Sequence, residues 1–197
     1  MGSVTIAYNA IPCDDSGMHR FFQSCGDTAR QFCQNYGHKP FLLVPPNLNN
    51  SALLERLEKD TVCVIAAHGS SNAIYNENDE EILSTNTVNY DLKDKTVYTI
   101  ACACGDRLGE ELRRIGVKIF IGYNQNLKIG SDEELFTDCV MSGLNKLLKG
   151  DNLNMSRLEM LRTYEDAISS ADNNQDKWLL LDNREALVFI GNPSACI

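Results

Sequence analysis

The sequence predicts an α/β fold: a mostly parallel sheet with helices on both faces. Apolar segments of strand character alternate with helical segments almost from end to end, the order that builds crossover-connected parallel strands. Two strand segments, 61–69 (TVCVIAAHG) and 96–102 (TVYTIAC), are continuous apolar runs, as strands covered on both faces are. The chain has 197 residues, 43% of them hydrophobic, enough for one sizeable core, so residues 1–197 are expected to form a single domain.

Each element has its own signal. Residues 3–10 (SVTIAYNA) read as a short strand. Over 19–36, Phe21, Phe22, Cys25, Ala29, Phe32, Cys33 and Tyr36 make a helical face that Gly37 ends. A second strand, 40–45, closes on Pro45-Pro46, and SALLERLEK (51–59) is a short helix. After the apolar run 61–69, residues 72–95 are polar and turn-rich, and 73–84 have apolar ends around an acidic tip, the pattern of a surface hairpin. The strand 96–102 is followed by a helix over 106–116 and a strand over 117–123. Ser131 and Glu134 form a capping box before a helix carrying Leu135, Phe136, Cys139, Val140, Leu144, Leu147 and Leu148, closed by Lys149 and Gly150. One more helix runs through Leu158, Leu161, Tyr164 and Ile168, and 185–193 (EALVFIGNP) is the closing strand.

Composition narrows the function. The net charge of −9 opposes binding to nucleic acid and to anionic membrane surfaces, and favours a basic partner. No apolar run reaches the ~18 residues of a membrane span, and the start lacks a secretory pattern. Ile6 stands where a myristoylation signal needs Ser or Thr. Eight cysteines without an export signal point to free thiols in the cytoplasm rather than a disulfide framework.

In sheets of this kind function collects at the carboxyl ends of the strands. Two such ends carry reactive groups. His68 ends the most apolar strand and is followed by Gly69-Ser70-Ser71, small residues that admit a ligand close to the backbone. Imidazole can both take and give a proton near neutral pH, although a lone histidine is more often structural. Cys102 and Cys104 lie between a strand and a helix start, whose amides and dipole favour a thiolate. Cys25, Cys33, Cys63 and Cys139 fit small buried hydrophobes instead. A zinc site of His68, Cys102 and Cys104 lacks a fourth ligand and the usual two-residue cysteine gap. Phosphate-cradling glycine loops are absent.

The blocks CVIAAHG and TIACACG, 34 positions apart from His68 to Cys102, resemble the His-Gly and Ala-Cys blocks of the caspase–haemoglobinase clan of cysteine peptidases. LGEELRRIGVKIFIGY resembles the helix and strand after the nucleophile in domains of the CHAT, clostripain and gingipain type, and LVFIGNP resembles their closing strand, with Asn192 where Asp is common. The likeness covers roughly residues 60–193. It implies a caspase-like three-layer sandwich with a mostly parallel central sheet of about six strands. It also implies peptide-bond hydrolysis by a Cys–His dyad without cofactor or metal, and an oxyanion pocket partly built from the backbone at Gly69. A protein or peptide substrate, a regulatory protein partner, and roles in regulated proteolysis or bacterial defence follow from the same likeness. The alternative reading is a non-catalytic caspase-like binding module. Retention of both His68 and Cys102 favours activity.

Both cysteines follow an alanine. Related domains tend to show Cys, any residue, Ser or Thr, then Gly, which favours Cys102, with Cys104 in the hydroxyl position. Cys104 remains the alternative nucleophile, because the two side chains point the same way if the strand continues through both. For the substrate pocket, acids outnumber bases at the expected active face: Asp14, Asp15, Asp106, Asp132, Glu133 and Glu134 against Arg20, Arg107 and Lys128. Clostripain-like and gingipain-like relatives cut after basic residues. The resemblance therefore implies cleavage after Arg or Lys, with Asp15 and Asp106 as pocket residues. The bland alternative makes Asp132 to Glu134 a solvated helix start.

Overall fold

The computed structural model describes residues 2–10, 17–86 and 92–197. In chain order the elements are β1 (Ser3–Tyr8), α1 (Met18–Asn35), β2 (Lys39–Leu43), α2 (Asn50–Lys59), β3 (Val62–Ala66), β4 (His68–Gly69), β5 (Ala73–Tyr75), β6 (Glu81–Ser84), β7 (Thr96–Ile100), α3 (Arg107–Arg114), β8 (Ile119–Tyr123), α4 (Glu133–Lys149), α5 (Leu153–Ser170), α6 (Asn174–Glu185) and β9 (Leu187–Gly191). The central sheet has the order β2-β1-β3-β7-β8-β9, and β4-β5-β6 form a small antiparallel sheet. All central pairings are parallel except β8 with β9.

Strand alternation sorts the core into two halves. Val62, Val64 and Ala66 of β3 and Tyr98 and Ile100 of β7 face one cluster with Phe21 and Phe22 of α1, Leu144 of α4 and Tyr164 of α5. Cys63, Ile65 and Val97 face the other, with Leu53 of α2, Leu108 of α3, and Ile74 and Leu83 of the small sheet. A parallel strand covered on both sides gains from apolar residues at every position, and β3, β7 and β8 are buried throughout.

Several boundaries differ from the sequence reading. The run 61–69 is not one strand: β3 ends at Ala66, and His68–Gly69 pair instead with β5. The hairpin 73–84 exists, but Ile74, Ile82 and Leu83 are buried, so it forms part of the second core layer. The cap of α4 is Asp132, which accepts from the Leu135 N–H at 3.1 Å, while Ser131 turns away to donate to Asp176 at 2.7 Å. Gly150 closes α4 in a left-handed conformation (φ 100°) as expected. Helix α6 was not anticipated. Its buried positions, Asp176, Leu180 and Asn183, are two-thirds polar and show no apolar stripe.

Leu144 is fully buried among α1, α4 and α5. Leu144→Ala is expected to cost about 2–5 kcal/mol of unfolding free energy. Urea denaturation measures it, and a loss below about 1 kcal/mol would show that this face is not close-packed.

Candidate active site

Parallel pairing brings the two reactive strand ends together. Ala66 of β3 is the register partner of Ile100 of β7, and the Ala67 N–H donates to the Ile100 carbonyl at 3.2 Å. His68 and Cys102 each lie two residues beyond that pair. Alternation carries both to the same side: Cys102 packs against the core half that contains Phe22, and the imidazole of His68 meets the Phe22 ring edge-on, with centroids 5.3 Å apart and planes at 86°. Both residues are half-buried.

Gly69 permits the approach. A Cβ on it would lie 2.7 Å from the Cys102 carbonyl oxygen, 3.1 Å from the Cys102 nitrogen and 2.9 Å from the Ala101 Cβ. Those neighbours are backbone or the first side-chain carbon, so little could give way. The Ser70 N–H donates to the Ala73 carbonyl at 2.8 Å, so antiparallel alternation turns the Gly69 N–H away from β5, towards the open edge of β4. The Leu108 N–H donates to the Ser71 carbonyl at 2.9 Å, which ties the histidine turn to the first turn of α3.

The two cysteines part company at Ala103. Strand β7 ends at Ile100, and Ala103 adopts a left-handed conformation (φ 54°), which costs a residue with a Cβ about 1–2 kcal/mol. The reversal is held by the Ala103 N–H on the Gln125 carbonyl at 2.9 Å and the Gly105 N–H on the Tyr123 carbonyl at 2.8 Å. Cys104 is thereby carried into the second core half, fully buried, with its sulfur 3.0 Å from Thr99 Oγ1 and 3.4 Å from the Ala101 carbonyl. Burial pushes its thiol up to about 11. The premise that the strand runs on through both cysteines fails. A zinc site using both fails with it, and among the described residues no group of three or more potential metal ligands occurs.

Cys102 itself donates to the Leu127 carbonyl at 3.9 Å. Burial raises its thiol above the ordinary 9.0. The helix start expected to lower it lies at Arg107, five residues on, and desolvation wins. Loss of the proton therefore calls for a base.

Of the expected pocket acids, Asp14 and Asp15 lie outside the described residues. Asp106 precedes α3 with an exposed side chain that makes no capping bond, and α3 covers the face opposite α1. Asp132 caps α4, and Glu133 accepts from the Ser24 hydroxyl at 2.7 Å. Both have structural partners, as the helix-start reading holds. Asp138, one turn on, has its carboxyl raised by burial, with Glu134 and Asp132 adding to the effect. Lys128 pairs with Asp182 on the surface at 2.5 Å. A groove of about 570 Å³ along the β9 edge, lined by Leu161, Arg184 and Phe189 among others, includes neither His68 nor Cys102. Among the described residues no helix is long and apolar enough to cross a membrane.

No family profile and no curated protein matches the sequence. Among solved structures, the crystal structure of the Arg-specific cysteine proteinase gingipain R matches with a TM-score of 0.70 at 14% identity, over 99% of this chain and 47% of that one. The chain thus spans about half the length of that protein and has its caspase-like α/β sandwich fold. At this identity the likeness concerns the fold alone.

Two outcomes check the geometry. Gly69→Ala is expected to cost about 1–3 kcal/mol through overpacking against the Cys102 backbone. An unchanged thermal midpoint would mean that the two turns are not in contact. Iodoacetamide followed by peptide mapping should modify half-buried Cys102 while Cys25, Cys33, Cys63, Cys104 and Cys139 stay inert. Because the Cys102 thiol is raised, its rate should be low at pH 7 and climb as pH passes above 9.0. A rate already at its plateau at pH 7 would overturn this account of the thiol.

Proposed function

We propose that the chain is a cysteine endopeptidase with Cys102 as nucleophile and His68 as its base. The observation that carries the reading is the placement of His68 and Cys102 on one side of the sheet, each two residues past a register pair, with Gly69 against the Cys102 peptide. The burial of Cys104 in the opposite core half supports Cys102 over the alternative nucleophile.

In this mechanism His68 takes the thiol proton, and the sulfur attacks the scissile carbonyl. The outward N–H of Gly69 and the amide of Cys102 donate to the oxyanion, where charge develops in the transition state. His68 then gives its proton to the leaving amine, which departs as the thioester forms. Water, deprotonated by the same imidazole, attacks the thioester and releases the acid. The raised thiol makes the imidazole indispensable, since little thiolate forms on its own near neutrality.

The substrate is proposed to be a protein or peptide cut after Arg or Lys. The net charge of −9 supports a basic substrate residue, as does the fold shared with an Arg-specific proteinase, and Asp106 is kept as a pocket proposal. A carboxylate facing a guanidinium or ammonium gives a directional, partly desolvated pair. Asp15 keeps its place as a pocket proposal.

Fluorogenic peptides differing only at the residue before the cut should be hydrolysed fastest after Arg or Lys. His68→Ala and Cys102→Ala should each lower kcat/KM by about 10²-fold or more, and Cys104→Ala far less. Hydrolysis that survives Cys102→Ala sinks the nucleophile assignment. Faster turnover after Asp or an apolar residue sinks the basic pocket, and no turnover of any peptide favours a binding module.

A further inference from the structure

Asn183 is fully buried on α6, a helix whose outer side is polar and carries Trp178 at 66% exposure. Both ends of its carboxamide are spent on one residue of the β8–α4 connection. Its Oδ1 accepts from the Lys128 N–H at 2.9 Å, and its Nδ2 donates to the Lys128 carbonyl at 2.7 Å. The Lys128 N–H belongs to the same peptide group as the Leu127 carbonyl, and that carbonyl accepts from the Cys102 sulfur. A peptide group is planar with its N–H and C=O on opposite sides. A partner that fixes the N–H on one side therefore aims the carbonyl on the other.

The neighbouring bonds tighten the same strap. The Gln125 carbonyl receives the Ala103 N–H at 2.9 Å, and the Asn124 N–H donates to the Ala186 carbonyl at 2.9 Å. Residues 124–128 are thus stretched between the Cys102 turn and the end of α6. The surface pair Lys128–Asp182, 46% and 48% exposed, joins the same two elements but sits in water and contributes little.

We propose that Asn183 is a positioning residue for Cys102: by holding the Lys128 N–H it fixes the Leu127–Lys128 peptide plane and keeps the Leu127 carbonyl on the Cys102 sulfur, fixing the orientation of the thiol. Its meaning for catalysis rests on Cys102 being the nucleophile, whereas the link from α6 to the thiol stands or falls by itself. Removing the clamp frees the carbonyl to turn away. The thiol then loses its hydrogen-bond partner and the orientation that partner imposes.

The test is the pH dependence of Cys102 alkylation by iodoacetamide, followed by peptide mapping, in the whole chain and in Asn183→Ala, Asn183→Asp and Lys128→Met. Thermal melts confirm that each variant is folded. Asn183→Ala is expected to shift the alkylation midpoint by about half a pH unit or more, about a threefold change in rate at a fixed pH below the midpoint. Asn183→Asp, which retains an acceptor for the Lys128 N–H, should fall between Ala and the parent. It also keeps the question answerable if the Ala variant does not fold. Lys128→Met should match the parent, because it removes the surface pair and leaves the backbone clamp. An unchanged midpoint in folded Asn183→Ala, or an equal change in the rates of the buried cysteines Cys25 and Cys139, would overturn the proposal, the latter by showing general loosening. A chain that cleaves no peptide can still pass this test, and an active peptidase can still fail it.

Discussion

The parallel pairing of β3 with β7 is the constraint on which the site depends. It sets Ala66 beside Ile100, so the chain leaves both strands at one level of the sheet. From there each chain has only two residues before its reactive side chain, and both keep the parity of the strand they leave. Had either strand run one residue longer or shorter, its side chain would face the other core half. The backbone contact at Gly69 then decides how near the two turns can come. With no Cβ, Gly69 lets the histidine turn lie on the Cys102 peptide, and any other residue would have to displace main chain.

What was legible in the sequence follows from how each element is stabilised. β3 and β7 are covered on both faces, so nearly every residue is apolar and the strands announce themselves. Gly69, Cys102 and His68 could be picked out because reactive or small residues stood where an apolar run stopped. The divergence of Cys102 from Cys104 could not be seen, since it depends on one left-handed residue, Ala103, and alanine carries no sign of such a conformation. Helix α6 was hidden for a related reason. It is held by Asp176 on Ser131 and by Asn183 on Lys128, polar contacts with residues 45 and 55 positions away, and long-range hydrogen bonds leave no period in the sequence. The capping box failed at the same place: Ser131 had the right type and spacing, but Asp176 competed for its hydroxyl.

Two opposing effects act on the Cys102 thiol. A helix start nearby favours the thiolate by about 0.3–1 kcal/mol when exposed, and the effect fades within a turn. Burial favours the neutral form and outweighs the opposite pull of the Leu127 backbone. With α3 beginning five residues away, the local dipole is too remote to compete. On the proposed assignment, a nucleophile kept protonated at rest is protected from oxidation and stray alkylation, because those reactions need thiolate and access. On the same proposal, activation falls to the imidazole and the arrival of a substrate.

That division of labour explains why a polar helix is packed against α5 and the β8–α4 connection. The Cys102 turn is irregular backbone, and its amides need partners; β8 supplies one, the Tyr123 carbonyl to the Gly105 N–H. The β8–α4 connection supplies another, the Gln125 carbonyl, and offers the Leu127 carbonyl to the Cys102 thiol, but it is a loop itself and must be held in turn. Apolar packing would bury this loop without choosing the orientation of its peptides. Hydrogen bonds do choose it, and a carboxamide with one donor and one acceptor on a single backbone residue does so about both sides of that residue. The buried polar residues of α6 therefore act where direction matters more than area, on the loop that meets the Cys102 turn.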